Sequence, residues 1–147
     1  MHMNFLYDAQ IIPVEAAAIA ATTTLTTDVV DTQGFDSVAF VAFLGDVTAT
    51  SVLTLTGFTN DTNDTDTPTQ LGSPVTFTAG ASDADGKLMV LDLHKPRQRY
   101  AYATLARATA NAVVNGILAI LYNAHDKPVN IPADVIASGF INDPAPA

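Results

Sequence analysis

Three histidines, His2, His94 and His125, are the side chains best suited to acid–base or metal chemistry near neutral pH. They are scattered along the chain, and none has a second histidine or a carboxylate at ligand spacing. A metalloenzyme on a jelly-roll scaffold needs His pairs on adjacent strands, and the sequence has none. The five serines (Ser37, Ser51, Ser73, Ser82, Ser138) fall in turns or strands. No G-x-S-x-G elbow is present to expose a nucleophile, and no glycine-rich loop to cradle phosphate. The chain has no cysteine, which excludes disulfides and thiolate ligands. The sequence therefore predicts no enzyme, no cofactor and no small-molecule substrate.

Oxygen ligands cluster in one place. Asn60 to Gln70 reads NDTNDTDTPTQ, and Asp61, Asn63, Asp64 and Asp66 have the chemistry of a calcium loop. The turn glycine and terminal glutamate of an EF-hand are missing, so the segment reads as a solvated loop without a structural metal. Tyr100 and Tyr102, two apart, share a strand face. They would suit either a sugar platform or packing, and the absence of Trp weighs against sugar. The one basic cluster, Lys95-Pro96-Arg97-Gln98-Arg99, is expected to answer nearby aspartates. Net charge is −9, and every Lys and Arg lies at or after Lys87. Such a balance argues against nucleic acid, whose phosphates demand clustered cations.

Any position for these residues must come from strands. Apolar residues make up 48% and charged residues 14% of 147, enough for one core and too little charge for a free monomer's surface. Threonine, abundant from Thr22 to Thr78, favours strands. Ser37 to Leu44 alternates Val38, Phe40, Ala42 and Leu44 against Ala39, Val41 and Phe43. Both faces are apolar, so the strand is central or covered by another subunit. Ser51–Thr56 reads as a half-buried strand, and Pro74–Thr78 as a strand with Val75 and Phe77 inward. Lys87–Leu93 and Arg99–Leu105 read as paired strands joined across His94-Lys95-Pro96. Asn111–Tyr122 has helical spacing at Val113, Ile117 and Leu121, yet its β-branched content and Gly116 favour a strand. Glu15–Ala21 (EAAAIAA) could form a short helical turn. The expected fold is all-β, a β-sandwich or barrel-like single domain over residues 22–125. An N-terminal arm (1–21) precedes it and an extended Pro-punctuated tail (126–147) follows.

No apolar run is long enough to cross a bilayer as a helix, since Val113 to Tyr122 is half the ~20 residues required. Met1 to Phe5 lacks the basic and apolar character of a signal peptide. A soluble protein made in a cytoplasm is expected, on which the Asn-Asp-Thr sequons carry no glycan.

Three stretches in this order carry a resemblance: VDTQGFDSVAFVAFLG from Val30, RYAYATL from Arg99, and LAILYNAHDKPV from Leu118, with an acidic loop after the first. Over Val30 to Val129 the chain resembles the small head proteins of tailed bacteriophages, the decoration or cement group. The resemblance implies a β-rich domain on the outer capsid surface, commonly as a homotrimer at local three-fold positions. Such a domain ties major capsid protein subunits together against internal DNA pressure. A tail, neck or baseplate structural protein, or a β-sandwich adhesin or glycan-binding module, stays open beside it.

The interface residues expected for the capsid and for a homo-oligomer are Phe5, Tyr7, Ile11, Ile12, Val41, Phe43, Arg97, Arg99, Phe140 and Ile141. The arm is expected to bind a neighbouring chain by adding a strand to its sheet. On that expectation a chain starting at Glu15 folds normally but decorates particles poorly.

Overall fold

The computed structural model describes residues 4–141. A single helical turn, α1 (Phe5–Asp8), is capped by Asn4, whose Oδ1 accepts the Tyr7 amide at 2.9 Å. Ten strands follow: β1 (Gln10–Glu15), β2 (Ala18–Ala21), β3 (Leu25–Thr26), β4 (Val30–Asp31), β5 (Phe35–Val47), β6 (Val52–Asn60), β7 (Thr69–Thr78), β8 (Leu88–His94), β9 (Tyr100–Ala108) and β10 (Ala112–Ala124). They make two antiparallel sheets, so the all-β expectation holds, and of sandwich and barrel it is the sandwich that forms. The first sheet runs β1-β10-β5-β8, with β2 continuing the β1 edge along β10. The second runs β3-β9-β6-β7, with β4 beside β9.

Period-two alternation builds the core. Val38, Phe40, Ala42 and Leu44 of β5 are buried with Ile117, Ala119 and Leu121 of β10 and Met89, Leu91 and Leu93 of β8. Leu53, Leu55, Ala101, Ala103 and Leu105 meet them from the second sheet. The layers approach closely at Gly57, where an added Cβ would lie 2.7 Å from Leu93 Cδ2 and 3.0 Å from Leu91 Cδ2. The threonines serve strands as expected, since β6 carries Thr54, Thr56 and Thr59 and β7 carries Thr69, Thr76 and Thr78.

Four local expectations meet a different or sharper outcome. The arm is part of the domain: β1 pairs with this chain's own β10, from Gln10↔Leu121 to Glu15↔Ile117, and Val14 is buried. Its backbone groups need partners, and the edge of β10 supplies them without a second chain. Glu15–Ala21 is not a helical turn, because Ala18 and Ala21 pair with Val114 and Ala112. A lone helical turn has too few hydrogen bonds to hold itself, whereas a strand here completes the edge. β8 and β9 are not a hairpin. They belong to opposite sheets, and the segment 95–99 carries the chain across the sandwich, starting from Lys95 at φ +50°. Each strand has its own apolar inward face, so separating them buries both. Asn111–Tyr122 is a strand as expected, central in the first sheet and paired on both edges. Gly116 adopts φ +145° at a register shift opposite Phe43, a conformation a side chain would strain.

The side of the sandwich holding β1 to β4 is closed by one continuous chain. There the Asp28 amide donates to Val14 O at 2.9 Å. Arg107 locks the crossing: only 3% exposed, it donates to Thr23 O (3.0 Å), Ile19 O (2.8 Å), Ala112 O (2.7 Å) and Thr23 Oγ1 (2.9 Å). The opposite side, between β7 and β8, is an open groove, so Val75 and Phe77, expected inward, stay 38% and 40% exposed along it.

Candidate interaction surface

The outward residues of the first sheet fall into rows across its strands. Pro13, Leu118, Val41 and Val90 are register neighbours in one row, and Phe43 and Leu88 form the next beside Gly116. Ile11, Ile120 and Ala39 lie on the other flank. Leu88 is 54% exposed, Val90 51%, Phe43 48% and Leu118 41%. Isolated exposed apolar residues are ordinary, but a continuous sheet face of them is a candidate interaction surface.

Of the expected interface residues, the fold brings Ile11, Val41 and Phe43 onto this one face. Ile12 points the other way and packs against the core. Phe5 is exposed on α1 and Tyr7 half-buried, with Tyr7 O accepting the Val129 amide at 3.1 Å. Phe140 and Ile141 are exposed on the C-terminal segment, well along the chain from any strand. Leu88, Val90, Leu118 and Ile120 were missed. Their alternation was visible, but which strands would stand side by side was not.

The other end of the face is polar. Tyr122 OH donates to Asp92 Oδ1 at 2.5 Å, and Ser37 Oγ lies 3.2 Å from His94 Nδ1. Burial and the Asp92 hydrogen bond raise the Tyr122 pKa, partly offset by Ser37. Ser37 is wholly buried and its Oγ accepts the Lys95 amide at 3.1 Å, so this hydroxyl ties down the start of the crossover rather than facing a substrate. His125, expected to lack a carboxylate, has Asp36 at 2.8 Å through a contact distant in sequence. His2 lies outside the described residues.

Arg99 does answer an aspartate: its Nε and NH2 donate to Asp31 Oδ1 and Oδ2 at 2.8 and 2.7 Å. That bidentate pair holds the Asp31 carboxyl below its usual range and lifts the guanidinium above its own. Arg97 is exposed beside it, lining a cleft with Thr59, Leu71 and Pro96. The paired tyrosines offer no platform. Tyr102 is buried and stacks on Phe58 with centroids 5.1 Å apart, while Arg99 lies over the Tyr100 ring. Desolvation, reinforced by Asp64 and Asp66, raises the Tyr102 pKa.

The acidic loop closes on an amide. Asn60 Nδ2 donates to Asp64 Oδ1 (2.9 Å), Asp64 O (3.1 Å) and Asp66 O (2.7 Å). The Asn60 amide thus ties the loop's far side back to the end of β6. Among the described residues no three of His, Asp or Glu gather as a metal-binding group.

No protein-family model and no curated protein matches the chain. Among solved structures, it is similar to a chain in the structure of the Gx strain of infectious bursal disease virus. That match has a TM-score of 0.48 and 11% identity, over 83% of this chain and 34% of the other. A chain from the Gt strain of the same virus gives 0.45 and 13%, over 82% and 33%. The protein thus spans about a third of the length of these viral chains.

Proposed function

We propose that this chain is a virion structural protein, a capsid decoration protein of a tailed bacteriophage. In this reading the outer face of its first sheet seats on the major capsid protein. The observation that carries the proposal is that face, with four large apolar side chains about half exposed across three adjacent strands. Covering the exposed half of each is worth roughly 1 kcal/mol before ordering costs, a small sum per copy that many copies multiply over a shell. The phage and the head location rest on the resemblance over Val30 to Val129. So does the arrangement, with copies at local three-fold positions tying capsid subunits against internal pressure. The role needs no catalysis, cofactor, membrane or nucleic-acid contact.

Binding to purified phage heads stripped of this protein tests the proposal, with Phe43→Asp and Leu118→Asp as variants. Both side chains point outward, so free-protein melting temperatures should hold while head binding weakens by about tenfold or more. Full binding by both variants, or particle density for this chain at the tail or neck, would overturn it.

A further inference from the structure

The sandwich has exposed strand edges, and they are not alike. On the closed side, β1 carries Pro13 and a register shift, while β3 and β4 are stubs of two residues. β7 carries Pro74, and its pairing with β6 slips between Leu55 and Gly57. These are the features that stop an edge from recruiting another strand. β8 (LMVLDLH) has none of them: no proline, no glycine, no lysine and a regular register with β5 from Leu88 to His94.

The hydrogen bond from the Leu44 amide to Lys87 O, 2.9 Å, sets the alternation along β8. With Phe43 opposite Leu88, it makes that pair a non-hydrogen-bonded one. The peptide groups of Met89, Leu91 and Leu93 therefore bond to β5. Those of Leu88, Val90 and Asp92 face away from the sheet, and no strand among the described residues lies there.

Charge selects the occupant. Asp83, Asp85 and Lys87 precede β8 with a net charge of −1, and Lys95 and Arg97 follow it with +2. Antiparallel pairing of β8 with itself sets the acidic end of one copy beside the basic end of the other, twice. Parallel pairing would match like with like. A two-fold axis at Val90 places Val90 opposite its own counterpart and Leu88 opposite Asp92, with the acidic turn before β8 of one copy at the same end as the basic crossover after β8 of the other. The same seam covers the apolar groove of about 370 Å³ that Val75 and Phe77 share with Leu88 and Val90. We infer that two copies of this chain join edge to edge through β8, fusing their first sheets into one continuous sheet about a two-fold axis. An isologous contact of this kind closes on itself and, while it draws in Leu88 and Val90, leaves Val41, Phe43 and Leu118 of the sheet's outer face uncovered.

Sedimentation equilibrium of the whole chain, combined with amide hydrogen exchange, tests the inference. The expected result is a concentration-dependent dimer in which the amides of Leu88, Val90 and Asp92 become protected as it forms. Val90→Pro removes an amide the monomer does not use, so it should keep the melting temperature and abolish the dimer. Because that variant could disturb the strand itself, charge reversal gives a separate readout. Reversing the basic end with Lys95→Glu and Arg97→Glu should weaken dimerisation by roughly tenfold, and reversing the acidic end as well with Asp83→Lys should restore it. A monomer at all concentrations would overturn the inference. So would a dimer that survives Val90→Pro, or a double reversal that restores nothing.

Discussion

Arg107→Met removes the lock between the two sheets while keeping most of the side chain's bulk. The guanidinium is buried and meets four acceptors, all of them neutral: three backbone carbonyls and one hydroxyl. Hydrogen bonds to a charged group contribute about 1.5–3 kcal/mol each, so the gross loss is several kcal/mol. Relief of the guanidinium's own burial offsets part of this. Ile19 O and Thr23 O sit where water can replace the donor, whereas Ala112 O is fully buried and stays unsatisfied. The balance is a destabilisation of about 2–4 kcal/mol, a large share of the roughly 5–15 kcal/mol that holds a domain folded. For a domain of this size that lowers the melting temperature by roughly 5–15 °C. Thermal and urea unfolding measure it, and exchange of the amides between Ile19 and Thr24 should quicken before global unfolding. A melting temperature within about 2 °C of the parent would refute the reasoning, because water would then satisfy the crossing segment as well as Arg107 does.

Three other outcomes follow from the same geometry. A chain beginning at Glu15 loses most of β1, including buried Val14, and bares the β10 edge; it should melt well below the full chain, and an unchanged melting temperature would return the segment to the status of an arm. Gly57→Ala forces a Cβ against Leu93 and Leu91 and should cost about 1–3 kcal/mol in urea unfolding, with a neutral result showing that β8 can yield. Tyr102 and Tyr122 both have raised pKa values, so the stability they contribute is full below the ordinary tyrosine value of roughly 10 and is lost as pH rises through their folded values. Absorbance titration should show a late-ionising component that Tyr102→Phe reduces, and its persistence unchanged in that variant would contradict the assignment.

Alternation along each strand, set by residues two apart, was legible without a structure. Val38 to Leu44 announced a strand apolar on both faces and Ser51–Thr56 a half-buried one, but Gly45-Asp46, which reads as a turn, lies inside β5, which runs on to Val47. The acidic loop could be read as solvated because its residues satisfy one another locally, as Asn60 and Asp64 do. Strand partnership could not be read, because an apolar face says that it must be covered and not by what. The sequence of β8 and β9 suits a hairpin as well as a crossover, and only packing both inward faces in one core sends them to opposite sheets. The N-terminal segment is apolar enough for a foreign sheet, but β10 stands unpaired within reach and takes it. Arg107 gave no sign of burial, since its acceptors are backbone carbonyls up to 88 residues away. The interaction face had the same obstacle: Phe43, Leu88 and Leu118 become one surface only when the three strands that carry them are laid side by side.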